Sequence, residues 1–353
     1  MIRVKDWLYS FLPMIFGNLY LFILVLDIPF NARSIILLAL SFIVSAGFAS
    51  VGYLINEASD IASDQASGKN NQLAGVSKGR LVFLLTCSLL FCLLPWLWLP
   101  FDSKSLALIL AQFLSYLLYS LPPFRWKKNP FLSIILDSLY AYILPLFLAA
   151  NTFILFSDSY FHSSFLLLFF LLYLLIGCRN IIVHQIKDIF KDQLSNITTL
   201  PRLLGVKKAN RILINILRLE ALLSFIWIGI LTKQSSPYFI FLIIPLLFEL
   251  FELRKSWKNR LSNYIVYNNI RQGLNFFFQV WVPYFLILLL GLKNWYWFGL
   301  AVAHSLFFLD RVSFSKLYSS IRNVLSVVVN YSLFYFFKLF GRDLRKKPLF
   351  SKK

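Results

Sequence analysis

Acidic side chains are the scarcest chemistry in this sequence, with 15 aspartates and glutamates against 35 lysines and arginines in 353 residues. Charge of either sign is thin: 14% of residues carry one, where soluble domains average roughly 25%. That shortage excludes an ordinary water-soluble domain. Cysteine is almost missing as well. Cys87, Cys92 and Cys178 all fall inside apolar runs with no metal-type spacing, which excludes a disulfide framework and a thiolate zinc site. The three histidines are scattered and no HExxH pattern exists, so a metalloprotease-type zinc site is excluded too.

What fills the space is hydrocarbon, 59% of the residues. Apolar runs of about 17 or more residues recur, each long enough to cross a bilayer core of about 30 Å. They lie near 8–27, 35–55, 81–99, 105–121, 131–151, 163–183, 212–231, 238–253 and 274–292, with a weaker one at 295–310. The pattern predicts an all-α, polytopic membrane protein of about nine transmembrane helices, ten if the last run also crosses. Its solvent is the lipid bilayer. Residues 1–310 are expected to form one transmembrane domain. The first run starts behind Arg3 and Lys5, is too long for a signal peptide and lacks a small-x-small cleavage site, so a retained helix is expected.

A formal charge of +20 raises the question of nucleic acid, and its distribution answers it. Loops alternate in basic content, and with a cytoplasmic N-terminus the inside loops carry 20 basic residues and the outside loops four, Arg33, Lys104, Lys233 and Lys293. That asymmetry is the positive-inside rule. The excess charge is topology, and no nucleic-acid partner is expected. Residues 311–353 mix aromatic and basic side chains and end in GRDLRKKPLFSKK. A final crossing would put this tail on the wrong side, so an in-plane amphipathic segment with a cytosolic tail is expected.

The few acids are not spread evenly. Five of the 15 stand in two segments assigned to the cytoplasmic side: Glu57, Asp60 and Asp64 in NEASDIASD, then Asp188 and Asp192 in HQIKDIFKD. Asn56, Asp60 and Asp64 are spaced by four, as are His184, Asp188 and Asp192, so a continued helix would stack each set on one face. Like charges at that spacing repel, and a cation is the natural compensation. Hard oxygen ligands suit Mg²⁺, which takes one or two carboxylates and completes its octahedron with water and substrate phosphates. A third inside loop, LYSLPPFRWKK, residues 118–128, ends its helix at Pro122 and Pro123 and then presents Arg125, Lys127 and Lys128. Each segment alone reads as a solvated loop end. Together they suggest a site for a polyanion bridged by metal.

These segments resemble the motifs of the UbiA superfamily of intramembrane prenyltransferases. NEASDIASD stands where that family has NDxxDxxxD after the second span. DIFKD, Asp188 to Asp192, matches its DxxxD after the sixth span, and YSLPPFR, Tyr119 to Arg125, matches its YSxPPxR-type loop after the fourth. Thr199, Leu200, Leu204 and Gly205 match the Thr-Leu and Leu-Gly that follow the second motif. The match covers residues 50–210. It departs from the family at Glu57, where aspartate is usual, and at GKNNQLAG, Gly68 to Gly75, which lacks the usual Arg-Pro. DQLSNITTL lacks a glycine often found there, and residues 254–353 carry little family signal.

The resemblance implies a helical bundle around a central apolar chamber. It implies Mg²⁺ held by Asn56, Glu57, Asp60, Asp64, Asp188 and Asp192, bridging the diphosphate of an isoprenoid donor. Lys69, Tyr119, Arg125, Lys128, Arg179 and Lys191 are expected to bind substrate, and His184 to contact a substrate or act as a base. The implied reaction is ionisation of the donor to an allylic cation and its capture by an unidentified aromatic or lipid-type acceptor. The same motifs serve phosphoribosyl transfer to a polyprenyl phosphate and terpene cyclisation, so both stay open. Asp137, the sole carboxylate of the fifth span, faces either the chamber or a polar partner. A transporter would call for mid-membrane ionisable pairs and internal repeats; the span centres offer neither.

Overall fold

Thirty-five residues of uninterrupted helix, Ala32–Ala66, measure about 52 Å at 1.5 Å per residue, well beyond the roughly 30 Å of a hydrocarbon core. The apolar part uses up the membrane thickness, and the remainder carries Asn56 to Asp64 out of the lipid. This is α2 of a computed structural model that describes residues 12–66, 68, 70–194, 197–258 and 274–308. The segment 311–353, Lys69 and the first residues of the first span lie outside the described residues.

Before it comes α1, Leu12–Val25. After it come α3, Lys78–Leu93, extended by a 3-10 turn Leu94–Leu97, and α4, Ser103–Ser120. Helix α5, Leu132–Ser157, contains a π-helical turn at Leu139–Ile143, and α6 is Ser163–Lys187. Two short helices, α7 at Ile189–Leu194 and α8 at Leu200–Leu204, lead to α9, Val206–Gln234. The series closes with α10, Ile243–Lys258, α11, Leu274–Lys293, and α12, Gly299–Phe307. Among the described residues six helices are long and apolar enough to cross a membrane. Together with the shorter apolar ones they make the all-helical polytopic architecture read from the hydropathy pattern. The chain divides into two compact units, 1–304 and 305–353, and every candidate site residue belongs to the first.

Polar contacts sort the loops into two ends of the first unit. At one end, Asp102 caps α4 by accepting the Ser105 N–H at 2.8 Å and also accepts from Asn151 on α5 at 2.8 Å. There, too, Lys293 pairs with Asp27 at 2.8 Å. At the other end, Arg125 meets Asp60, Gln185 donates to Ser133, and Arg202 reaches the Asp192 carbonyl. This second end gathers the loops after α2, α4 and α6, as the alternation of basic loops requires.

Small residues let the helices close. A Cβ on Gly47 would lie 2.6 Å from the backbone nitrogen of Cys92, so α2 and α3 touch backbone to backbone. A Cβ on Gly177 of α6 would lie 2.7 Å from the Ser138 side chain of α5 and 2.8 Å from its Cα. Without a hydrophobic drive between helices in lipid, such close packing is the main attraction. Beneath the second aspartate segment, Ile134, Ile182, Val183, Leu200, Ala209 and Leu213 form a buried apolar cluster joining α5, α6, α8 and α9. Further along α6, Phe161, Phe165, Phe169 and Tyr173 pack ring against ring, with Trp227 of α9 stacked on Phe169.

Candidate active site

The extramembrane end of α2 brings the first acidic segment to the loop 121–131. Because α2 runs unbroken to Ala66, Asn56, Asp60 and Asp64 do share a face, as their spacing predicts. Their repulsion is relieved by two cations. Arg125 Nη2 and Lys127 Nζ both reach Asp60 Oδ1, at 2.9 Å and 2.6 Å. Lys127 also donates to Asn56 Oδ1 and Ser59 Oγ, each at 3.0 Å, and Arg125 to the Ser59 carbonyl at 3.1 Å. Burial holds the Lys127 ammonium below its ordinary range, with the Asp60 carboxylate working the other way.

The loop achieves this with a left-handed residue. Arg125 has φ 41°, uncommon for a side chain with a Cβ, and its N–H is held by the Leu121 carbonyl at 2.8 Å. The turn sends Lys127 inward and leaves Lys128 exposed. Lys127 was the cation that the pattern of the loop did not single out; Lys128, expected on the diphosphate, has no ion-pair partner among the described residues. Lys69 lies outside them.

Asp64 and Glu57 are tied to the loop that follows α2. Asn71 Nδ2 donates to Asp64 Oδ2 and to the Glu57 carbonyl, both at 2.9 Å. Glu57 is buried and its Oε2 accepts from the Gln72 N–H at 3.3 Å. Glu57 therefore fixes the loop that follows α2.

The second segment departs from its expected geometry. Helix α6 ends at Lys187, with Asp188 at its C-terminal cap, and α7 starts a new helix. The i→i−4 bonds nonetheless run through the break, from Asp188 N to the His184 carbonyl at 3.1 Å and from Asp192 N to the Asp188 carbonyl at 2.8 Å, so His184 and Asp188 meet side by side as their spacing predicts. Asp188 has His184 Nε2 at 3.8 Å and Lys191 Nζ at 3.9 Å, both from exposed side chains. Asp192 is buried, and its backbone carbonyl accepts from Ile197 N at 2.9 Å and Arg202 Nη1 at 2.9 Å. Gln185 braces this turn, donating to Ser133 Oγ at 3.1 Å and accepting from Leu200 N at 3.3 Å.

Tyr119 joins the two halves: its hydroxyl lies within electrostatic reach of both Asp60 and Asp192. Arg179 needs a correction. Expected on the diphosphate, it is fully buried between α6 and α9 and makes a two-pronged pair with Glu220, Nε to Oε2 at 2.6 Å and Nη2 to Oε1 at 3.0 Å. It also donates to Asn275 Oδ1 at 2.6 Å and to Asn180 Oδ1 at 3.0 Å. With its donors committed to these groups, Arg179 acts as a structural charge. The partner, Glu220, stands in the span 212–231 and signals itself only as a carboxylate in an apolar run.

Two buried polar atoms in this region have no hydrogen-bond partner among the described residues: Arg125 Nε and Thr199 Oγ1. An orphaned guanidinium N–H next to a shared carboxylate is what an absent anion would satisfy. For a cation, no three His, Cys, Asp or Glu side chains converge among the described residues. The donor set fits Mg²⁺ nonetheless, because that ion keeps several waters and binds through one or two carboxylates plus substrate phosphates rather than a closed cage.

The fold and site define an intramembrane helical bundle with an acidic, cation-buttressed mouth. Residues 10–267 match the UbiA prenyltransferase family, and the chain belongs to it. Comparison with curated proteins finds none that matches. Among solved structures, a UbiA homolog from Archaeoglobus fulgidus bound to GPP and Mg²⁺ is similar over 80% of this chain and 98% of its own, at 17% identity and a TM-score of 0.54. The same homolog bound to DMAPP and Mg²⁺ gives 16% identity, 80% and 97% coverage and a TM-score of 0.53. The apo structure of a UbiA homolog from Aeropyrum pernix K1 gives 16%, 78% and 98%, and 0.51. At such identities the likeness is one of fold.

Proposed function

We propose that this protein transfers a prenyl group from an isoprenoid diphosphate to an acceptor in the membrane, using Mg²⁺. The observation that carries the reading is the Asp60 cluster, in which two cations on a single carboxylate oxygen accompany an unpartnered Arg125 Nε. A diphosphate supplies the anionic oxygens that such a cluster lacks. Family membership and the GPP and DMAPP complexes of the Archaeoglobus homolog support the donor class. Basic loops on the same end support a cytoplasmic mouth.

Asn56, Asp60 and Asp64 on one side and Asp188 and Asp192 on the other would hold the metal. Bound there, Mg²⁺ offsets the charge of the diphosphate as it leaves. Arg125 binds diphosphate oxygens directly through its unpartnered Nε. Lys127, committed to Asp60, Asn56 and Ser59, adds its charge at their side, and Lys191 and His184 stand beside Asp188 to serve the far side. Tyr119, between the segments, orients the donor's head. The surrounding aromatic side chains favour a developing allylic cation and keep water from quenching it.

The test is release of diphosphate from allylic diphosphates of increasing chain length by the purified protein in detergent. Release is expected to need Mg²⁺, to stop with EDTA, and to fall by about 100-fold or more in Asp60→Asn and Asp188→Asn. Release that survives either substitution removes the metal assignment. If no allylic diphosphate is consumed, prenyl transfer is refuted.

A further inference from the structure

Glu220 and Asp137 both stand inside spanning helices, and the structure treats them in opposite ways. Glu220 has a guanidinium laid against both of its oxygens. Asp137 has no cation at all among the described residues. Its one hydrogen bond is from the Tyr140 hydroxyl to Oδ1, at 2.6 Å. A carboxylate kept at membrane depth without a counter-charge is costly, and such groups typically face a cavity or a substrate path.

Its surroundings say which. Asp137 lies where α5 departs from regular helix, the residue pair before the π-helical turn at Leu139–Ile143, and such turns concentrate at functional sites. The turn frees the Tyr140 carbonyl, which accepts from Gln112 at 2.7 Å. Asp137 is half-buried even though its helix lies within the bundle. Tyr140 packs edge-on against Tyr119, with ring centroids 5.2 Å apart. Tyr119 is the residue that senses both aspartate segments. Among the described residues, Tyr140 of its own helix meets Asp137 directly, Tyr119 of α4 packs on the Tyr140 ring, and Cys178 of α6 lies against the neighbouring Ser138. None is positive.

We infer that Asp137 is the catalytic base for the acceptor: it takes the proton that a hydroxyl-bearing acceptor loses as it is prenylated, with Tyr140 holding the carboxylate in position. This rests on the prenyl-transfer reading above. In the step, the C1–O bond of the donor breaks and its electron pair leaves with the diphosphate. An electron pair of the acceptor forms the new bond to C1, and the displaced proton passes to the free Oδ2 of Asp137, from which water removes it after the product leaves. Tyr119 and Tyr140 connect this position to the diphosphate end, so donor head and acceptor are held on opposite sides of one phenol pair. A cation at Asp137 would repel the developing allylic cation and tie up the base, which gives a reason for its absence.

The test compares wild type with Asp137→Asn and Asp137→Glu, using geranyl diphosphate, Mg²⁺ and a membrane lipid extract as acceptor source. Asparagine preserves shape and the bond from Tyr140 but cannot take a proton. Donor binding, read as the Mg²⁺-dependent rise in Tm, and the slow release of diphosphate without extract are expected to stay within about 3-fold of wild type. Extract-stimulated release is expected to drop by about 100-fold or more, to lose the acid limb of its pH profile, and to recover in part in Asp137→Glu. Stimulated release within about 3-fold of wild type in Asp137→Asn overturns the assignment. So does joint loss of donor binding and transfer, which marks a structural role. Wild-type release that the extract leaves unchanged refutes a membrane acceptor with a hydroxyl. Wild type that releases no diphosphate from any member of the allylic chain-length series refutes the prenyl-transfer reading itself, before any variant is compared.

Discussion

Replacing Lys127 by methionine keeps the aliphatic stem and removes three donated hydrogen bonds, to Asp60, Asn56 and Ser59. Breaking a buried ion pair by deleting one partner typically costs 3–5 kcal/mol. Here the penalty is much smaller, because Arg125 stays on the same oxygen at 2.9 Å and Asp60 retains 17% exposure. The variant also loses the desolvation cost of a buried ammonium and its repulsion from Arg125. Folding is therefore destabilised by about 1 kcal/mol, a Tm shift of a few degrees. Donor binding loses the pull of a nearby positive charge, worth about 1.5–3 kcal/mol over roughly 6–10 Å at an effective dielectric near 20, or roughly 10- to 150-fold in Kd at 1.4 kcal/mol per decade. Lys128→Met, at an exposed side chain, is expected to change Kd by about 2-fold at most. The assay is Mg²⁺-dependent binding of geranyl diphosphate to detergent-solubilised protein, beside a melting curve. Because burial lowers the pKa of Lys127, wild-type affinity should also fall as pH rises toward that range, earlier than an exposed lysine would permit, and the methionine variant should lack this limb. Equal affinities for wild type and Lys127→Met, or an equal loss in Lys128→Met, would refute the geometry.

Arg179→Met strands the buried Glu220 carboxylate and is expected to lower stability by about 3–5 kcal/mol, whereas the double variant Arg179→Met/Glu220→Leu should recover most of it; thermal unfolding in detergent distinguishes the two. Gly47→Val places a branched side chain where even a Cβ comes within 2.6 Å of Cys92 backbone, and a loss of about 1–3 kcal/mol or more is expected from the forced separation of α2 and α3. Asp102→Ala removes the cap of α4, worth about 1 kcal/mol. The Ser105 N–H holds the Asp102 carboxyl below its ordinary range, so this contribution is complete above a pH of about 4 and fades as pH falls through the lowered value. A difference in Tm between wild type and Asp102→Ala that persists unchanged into strong acid would contradict that.

Much of the fold was legible because lipid imposes a simple rule: spanning segments must satisfy their own backbone and expose only hydrocarbon. Run length, loop charge and the proline pair at 122–123 therefore sufficed to place the helices and the loop. The first acidic segment was legible too, since α2 has no break and spacing by four maps directly onto a face. The second was legible in part: His184 and Asp188 meet at their i,i+4 spacing, but α6 ends at Lys187 with Asp188 at its cap. The bridge of Gln185 to Ser133 on α5 and Leu200 on α8 joins positions remote in sequence that no local periodicity encodes.

The cations show the same limit from another direction. Composition puts Arg125, Lys127 and Lys128 on one loop, and nothing in their order says which enters the site. A single backbone angle decides it: with Arg125 in the left-handed region, the next turn carries Lys127 under α2 and Lys128 away from it. For Arg179 and Asp137 the sequence offers equal cues, since each is a charge within an apolar run. Their difference lies in what the neighbouring helices bring. Glu220 pairs with Arg179 and Asn275 accepts from it, while among the described residues Asp137 has a hydrogen bond from Tyr140 and no cation. A charge within the membrane that its own protein satisfies holds helices together.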